Sequence, residues 1–260
     1  MSDTPPVPVL FDAHAHMYAD AFAHDLEAVL QRAATRGVRA ILTVSETLEE
    51  ARHILTLAER YPLLKPCAGL YPTILDRHAA LAMLDFIRQH QDQLVAIGEV
   101  GLDYWKVQDA DEREVQREIL AQHIALSREL DLPLNVHSRS AGRHTIAWLR
   151  EHGAQRVLMH AFDGKVSAAM AGIEAGYYFS VPPSIVRSPQ KQKLVRHLPL
   201  ERLLLESDSP VLGPEREQRN EPCNVWVACV HIATIKGVSA EDVAHITTTN
   251  ARTLFPRAFA

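Results

Sequence analysis

The chain has 260 residues, 47% of them apolar and 23% charged, with a formal net charge of −5. That length suits two average domains or one large α/β barrel, and the acidic balance argues against a protein that coats nucleic acid regardless of sequence, though not against an enzyme whose metals supply positive charge locally. No apolar run nears the roughly 20 residues that span a bilayer, residues 1–9 (MSDTPPVPV) lack the basic and apolar regions of a secretory signal, and Cys67, Cys223 and Cys229 show no C-x-x-C spacing, so a reducing, cytoplasmic location is expected.

The first predicted element is the apolar strand 9–16, VLFDAHAH, in which Asp12, His14 and His16 project to one side because residues two apart on a strand share a face. A helix over 21–36 closed by Gly37, a strand 38–44, a helix 48–60 ended by Pro62 and a strand 63–70 follow. Next come a helix 78–90, a strand 94–100 running into Gly98-Glu99-Val100-Gly101, and a long helix 112–130 with acids near its start, where the helix dipole favours them. The strand 133–137 (PLNVH), helix 142–152, strand 156–160 (RVLMH), helix 165–174, strand 177–181, helix 189–197 and strand 202–206 (RLLLE) complete the alternation, and helices 224–236 and 240–254 close the chain. Eight strands alternating with helices mean parallel βαβ units, and eight such units in about 250 residues point to a (β/α)8 TIM barrel. No linker or short repeat interrupts it, so residues 1–260 read as one domain. The absence of G-x-G-x-x-G after the first strand counts against a dinucleotide-binding fold.

Barrel active sites form at the C-terminal ends of the strands. There the first strand supplies His14 and His16, the fourth Glu99, the fifth His137, the sixth His160, and the eighth Glu206 and Asp208; strands two, three and seven end without an obvious ligand. Six or seven convergent ligands exceed what one zinc needs and fit two metals about 3.5–4 Å apart with a bridging carboxylate. His14, His16 and Asp208 are assigned to one metal, His137 and His160 to the other, and Glu99 to both. Asp208 can also accept the proton of an attacking water. Glu206 either holds a further ion or accepts a hydrogen bond behind the ligands, and Asp12 is expected to support the site in that second way. The donor set leaves Zn2+, Mn2+ and Mg2+ open. Arg139, Arg143, Lys165, Arg187, Arg216 and Arg219 follow strand ends, and arginine's forked guanidinium matches phosphate. Among these Arg139 is the best placed, two residues past a proposed ligand, while Tyr71 and Trp105 could stack on a base or sugar.

These residues resemble the TatD family of metal-dependent deoxyribonucleases over nearly the whole chain. FDAHAH is similar to its D-x-H-x-H opening, GEVGLDYW to its G-E-x-G-L-D-[YF] block, PLNVHSR and LMHAFDG to its two histidine blocks, and LLLESDSP to its E-T-D-x-P block. NVHSRSAGR, HAFDGK, PPSIVRSPQKQKLV and LGPEREQRNEP resemble the subfamily of the third human TatD-domain protein. The resemblance implies a TIM barrel, a site of two or three divalent metals held by His14, His16, Glu99, His137, His160 and Asp208 with Glu206 for an extra ion, and 3′-to-5′ exonuclease or abasic-site endonuclease action on DNA. Glu99, Asp208 and Glu206 are read as the catalytic residues, and Arg139, Arg143 and Tyr71 as substrate contacts. Tyr71 stands where the family has the histidine of G-x-H-P, Arg143 where many members have an acid, Ser207 where Thr is usual, and Met17-Tyr18 where an apolar residue and an Asp or Asn are usual. The expected partner is DNA or an oligonucleotide, with no membrane and no obligate protein partner. The competing readings are a hydrolase of the same barrel type acting on a lactone, amide or small phosphoester, and a barrel that binds metal or nucleic acid without turnover.

Overall fold

A computed structural model describes residues 8–260; the first seven residues of the stretch read for a secretory signal lie outside them. The strands are β1 (Leu10–Ala15), β2 (Val38–Thr43), β3 (Leu64–Ala68), β4 (Ala96–Gly101), β5 (Leu134–His137), β6 (Val157–Met159), β7 (Tyr178–Val181) and β8 (Leu203–Leu205). They form one parallel sheet in sequence order, as the alternating pattern predicts. The intervening helices are α1 (Leu26–Thr35), α2 (Leu48–Arg60), α3 (Arg77–Gln89), α4 (Ala110–Leu130), α5 (Gly142–Glu151), α6 (Val166–Glu174) and α7 (Pro189–His197), with α8 (Val225–Lys236) and α9 (Ala240–Leu254) after the last strand. The helix expected over 21–36 is instead a 3-10 turn, Asp20–Phe22, followed by α1. No single helix among the described residues is long and apolar enough to cross a membrane.

Strands covered on both faces read as continuous apolar runs, and the core divides accordingly. Leu10, Val38, Ile41, Leu134 and Val136 pack against helical residues such as Leu120, Ile124 and Ile232. Leu42, Leu158 and Leu204 belong to a smaller cluster that Leu254 and Phe255 join from the C-terminal helix. Leu158 and Leu204 lie two residues before His160 and Glu206, so they underlie those side chains on the same strand face.

The seam between β8 and β1 is where the first strand's polar residues enter the fold. Asp208 N–H donates to the His14 carbonyl (2.8 Å), and His16 N–H to the Ser209 carbonyl (2.8 Å). Just before these, the Asp12 side chain replaces a backbone partner: its Oδ1 accepts from Ser207 N–H at 2.7 Å and from His14 N–H at 3.3 Å. Asp12 is fully buried, and burial, only partly offset by the Ser207 contacts, pushes its carboxyl up to about 8.

Asp12→Asn keeps the accepting oxygen without the charge, so its unfolding midpoint in urea should lie close to wild type. Asp12→Ala strands two buried N–H groups at about 1–3 kcal/mol each and should lose roughly 2–6 kcal/mol. Equal midpoints for the alanine variant and wild type would contradict this role.

Candidate metal centre

Glu99 lies in the C-terminal half of β4 between Gly98 and Gly101, two glycines with steric reasons to be there. A Cβ on Gly98 would lie 2.6 Å from the Asn135 Cβ, and one on Gly101, at φ +152°, would overlap the His137 carbonyl. Only glycine lets β4 approach β5 this closely, and that approach sets the Glu99 carboxylate against the β5 histidine.

The carboxylate has two distinct sides. Oε1 lies 2.6 Å from His137 Nδ1 and 2.9 Å from His160 Nε2. Oε2 is buried with no hydrogen-bond partner, 3.6 Å from both His14 Nε2 and His16 Nε2. Asp208 Oδ1 lies 3.6 Å from His14 Nε2 and 3.5 Å from His16 Nε2, and the two imidazole nitrogens are 3.2 Å apart. A tetrahedral ion with bonds of about 2.1 Å has donor atoms about 3.4 Å apart. His14, His16 and Asp208 are therefore close enough to share an ion, with the orphaned Glu99 oxygen beside both imidazoles, while His137, His160 and the other Glu99 oxygen form a tighter second group. The structure brings all six sequence-assigned ligands together.

Residues that the sequence reading passed over hold the imidazoles in place. Asn135 Nδ2–H donates to the Ala13 carbonyl (2.8 Å), which turns its Oδ1 toward His14 Nδ1 at 2.9 Å. That nitrogen must then carry the proton, leaving Nε2 free to ligate. Asp103 Oδ2 stands 3.0 Å from His137 Nε2 and plays the same part for Nδ1, while its other oxygen accepts from Trp105 and Lys106 N–H groups. The His14 and His160 rings stack at 3.7 Å and 6°. The signal for Asn135 and Asp103 was present: one lies two residues before a ligand on the same strand, the other inside the GEVGLDYW block.

Glu206 is fully buried, with Oε1 accepting from Ala161 N–H (2.9 Å), Oε2 accepting from Ser180 Oγ (2.6 Å), and His160 Nδ1 at 3.6 Å from Oε2. Both oxygens are engaged by the protein and the side chain does not line the cavity above the site. Of the two roles read for Glu206, these contacts are those of the hydrogen-bonding one. Conversely, the second strand does lead to an acid at the site: Glu46, just past β2, lines the cavity, and with His16 and Glu99 it makes a third group close enough to share an ion. The capping box of α2 fixes its backbone, Glu50 Oε2 accepting from the Glu46 and Thr47 N–H groups at 2.8 and 2.9 Å.

The cavity over this centre holds about 460 Å³, lined also by Tyr71, Arg139, Asp163, Lys191, Val211 and Leu212. Tyr71 packs edge-on against His137 at 5.1 Å between ring centres. Arg139 lies 3.7 Å over the exposed indole of Trp105. Arg143 does not line the cavity: it sits exposed in the first turn of α5. Arg187 donates to the Gly213 and Pro214 carbonyls, and Arg219 is held by Asp25 and Glu221, so neither is available to a ligand.

Burial opposes charge throughout the centre, but the groups outweigh it in pairs. Against burial, His160, His137 and His14 hold the Glu99 carboxyl well below the usual range. Likewise Glu99 and Glu206 hold His160 well above the ordinary imidazole value, Asp103 and Glu99 raise His137, and Asp208, Glu99 and Glu46 raise His16.

Comparison with known proteins fits this geometry. The family model of the TatD related DNases matches residues 11–256. The chain belongs to the TatD family. It is 48% identical to the putative deoxyribonuclease TATDN3 of Mus musculus over 95% of this chain and 88% of that protein, and 46% identical to the deoxyribonuclease TATDN3 of Homo sapiens over 95% of each, which places this TatD chain in the TATDN3 subfamily. The crystal structure of YjjV, a TatD homologue from Escherichia coli, superposes with a TM-score of 0.88 at 29% identity, covering 96% of this chain and 99% of that one.

Two measurements check the geometry. Asp103→Asn offers His137 Nε2 a donor instead of an acceptor, forces the proton onto Nδ1, and should weaken metal binding about 10–100-fold with little change in unfolding midpoint; unchanged affinity would contradict it. Because each imidazole must lose its proton to ligate, and those of His16, His137 and His160 are raised, calorimetric metal affinity should fall as pH drops through their raised values, by about tenfold per pH unit for each proton displaced. A flat profile would contradict the pairing.

Proposed function

We infer that this chain is a metal-dependent deoxyribonuclease, hydrolysing phosphodiester bonds of DNA or short oligonucleotides as a 3′-to-5′ exonuclease, an abasic-site endonuclease, or both. The observation that carries the reading is the Glu99 carboxylate, whose two oxygens face two separate donor groups. Two divalent ions held there would polarise a phosphoryl oxygen and lower the pKa of a water. Imidazole-rich donors suit Zn2+ or Mn2+ better than Mg2+.

The chain's own residues supply the rest. Asp208, kept ionised against burial by His16, His14 and His160, accepts the attacking water's proton. His14, His137 and His160 hold their positions through Asn135, Asp103 and Glu206, so little reorganisation accompanies the reaction. Arg139, stacked on Trp105 at the rim, meets the phosphate backbone, a geometry that suits a guanidinium. Val211 and Leu212 present an apolar wall to a sugar or base. A cavity of this size admits a nucleotide-sized group.

A fluorescent oligonucleotide with one abasic site, incubated with Mg2+, Mn2+ and Zn2+ in turn, tests the reading. Cleavage by wild type should fall at least about 10³-fold in Glu99→Ala and Asp208→Ala. Equal cleavage by the variants would overturn the site, and hydrolysis of a lactone or amide without any phosphodiester cleavage would favour the small-substrate alternative.

A further inference from the structure

Lys191 is a cation at the centre that the phosphodiester reading does not use. It lies in the first turn of α7, where the Ser188 hydroxyl caps the helix and accepts from Lys191 N–H at 3.3 Å. A cation there faces the positive end of the helix dipole and is disfavoured. Its side chain lines the same cavity as His160 and Asp208. Among the described residues, the sole hydrogen-bond acceptor for Nζ is the carbonyl of Ala161, at 3.1 Å, the residue after His160. An ammonium has three donors, so two remain unmet. Burial pulls its pKa down, while Glu206, Asp208 and Asp163 favour the charge only from beyond ion-pair distance.

Dipole, burial and unmet donors all act against this ammonium, and an anion in the cavity would reverse all three. Arg187 and Arg219 are satisfied by carbonyls and carboxylates, and Arg139 is held over Trp105. We propose that Lys191 binds a non-bridging oxygen of the phosphate presented to the metal centre. The proposal deepens the phosphodiester reading and rests on it for the identity of the substrate. Bound there, the ammonium meets the oxygen with a charge-assisted hydrogen bond, while its bond to Ala161 fixes its direction. Ala161 itself has φ +42° and donates its N–H to Glu206, so the loop carrying both contacts has one shape.

The test uses the metal-loaded full chain as wild type, Lys191→Met and Lys191→Arg, with calorimetric binding of inorganic phosphate and steady-state cleavage of the abasic-site oligonucleotide. Lys191→Met should weaken phosphate binding and lower kcat/KM by about 10–100-fold each, with metal content and unfolding midpoint unchanged. Lys191→Arg should recover most of the loss. Unchanged phosphate affinity in Lys191→Met overturns the proposal, and so does a loss that tracks a fall in metal content, which would mark Lys191 as a prop for the Ala161 loop. If wild type cleaves no oligonucleotide yet phosphate binding still depends on Lys191, the nuclease reading fails and the anion site stands.

Discussion

The structure depends on burying one carboxylate among four imidazoles. Glu99 is 1% exposed, one of its oxygens has no hydrogen-bond partner, and the other touches two histidines. An isolated buried carboxylate is strongly disfavoured, and the imidazoles of His160, His137 and His14 favour the charge that burial opposes. Much of the barrel's upper rim serves that arrangement. Gly98 and Gly101 let β4 close on β5, and Asn135 and Asp103 set the ring orientations of His14 and His137. The Asp12 carboxylate joins β8 to β1, so that Asp208 arrives beside the two histidines of the first strand.

Much of this was legible in the sequence because βα repeats put function where apolar runs stop. Each ligand follows a short apolar stretch, and the spacing of two in D-A-H-A-H and E-S-D fixes a common face before any coordinates are known. What escaped was what depends on neighbours across the sheet. Asn135 and Asp103 look like ordinary polar residues until their partners, His14 and His137, are in view. Glu46 escaped because it lies beyond an apolar strand end, brought inward by the capping box that Thr47 and Glu50 form. Lys191 escaped because it is on a helix, whereas the search for cations followed strand ends. Arg143, which shares a short loop with Arg139, is exposed in the first turn of α5 and does not line the cavity. The expected helix 21–36 merges two elements, because its apolar residues cross the break between Phe22 and Leu26 without a proline or glycine to mark it.

The electrostatics link the centre to its substrate. Among the described residues, Glu46, Glu99, Asp163 and Asp208 line or floor the cavity beside His16, His137 and His160, with Arg139 and Lys191 as its lysine and arginine cations. An acid-rich cavity on a chain of net charge −5 repels an anion. Bound cations invert that balance, so affinity for a phosphodiester and metal occupancy are coupled. Glu206 accepts from Ser180 and Ala161 and lies 3.6 Å from His160 Nδ1.

The central claim is that Glu99 serves two ions at once. It is tested most directly by metal stoichiometry of the purified, metal-saturated protein, by elemental analysis, in wild type and Glu99→Gln. The account predicts about two ions per wild-type chain and no more than one per variant chain, the one retained by His14, His16 and Asp208. A Glu99→Gln protein that keeps the full wild-type complement would contradict it.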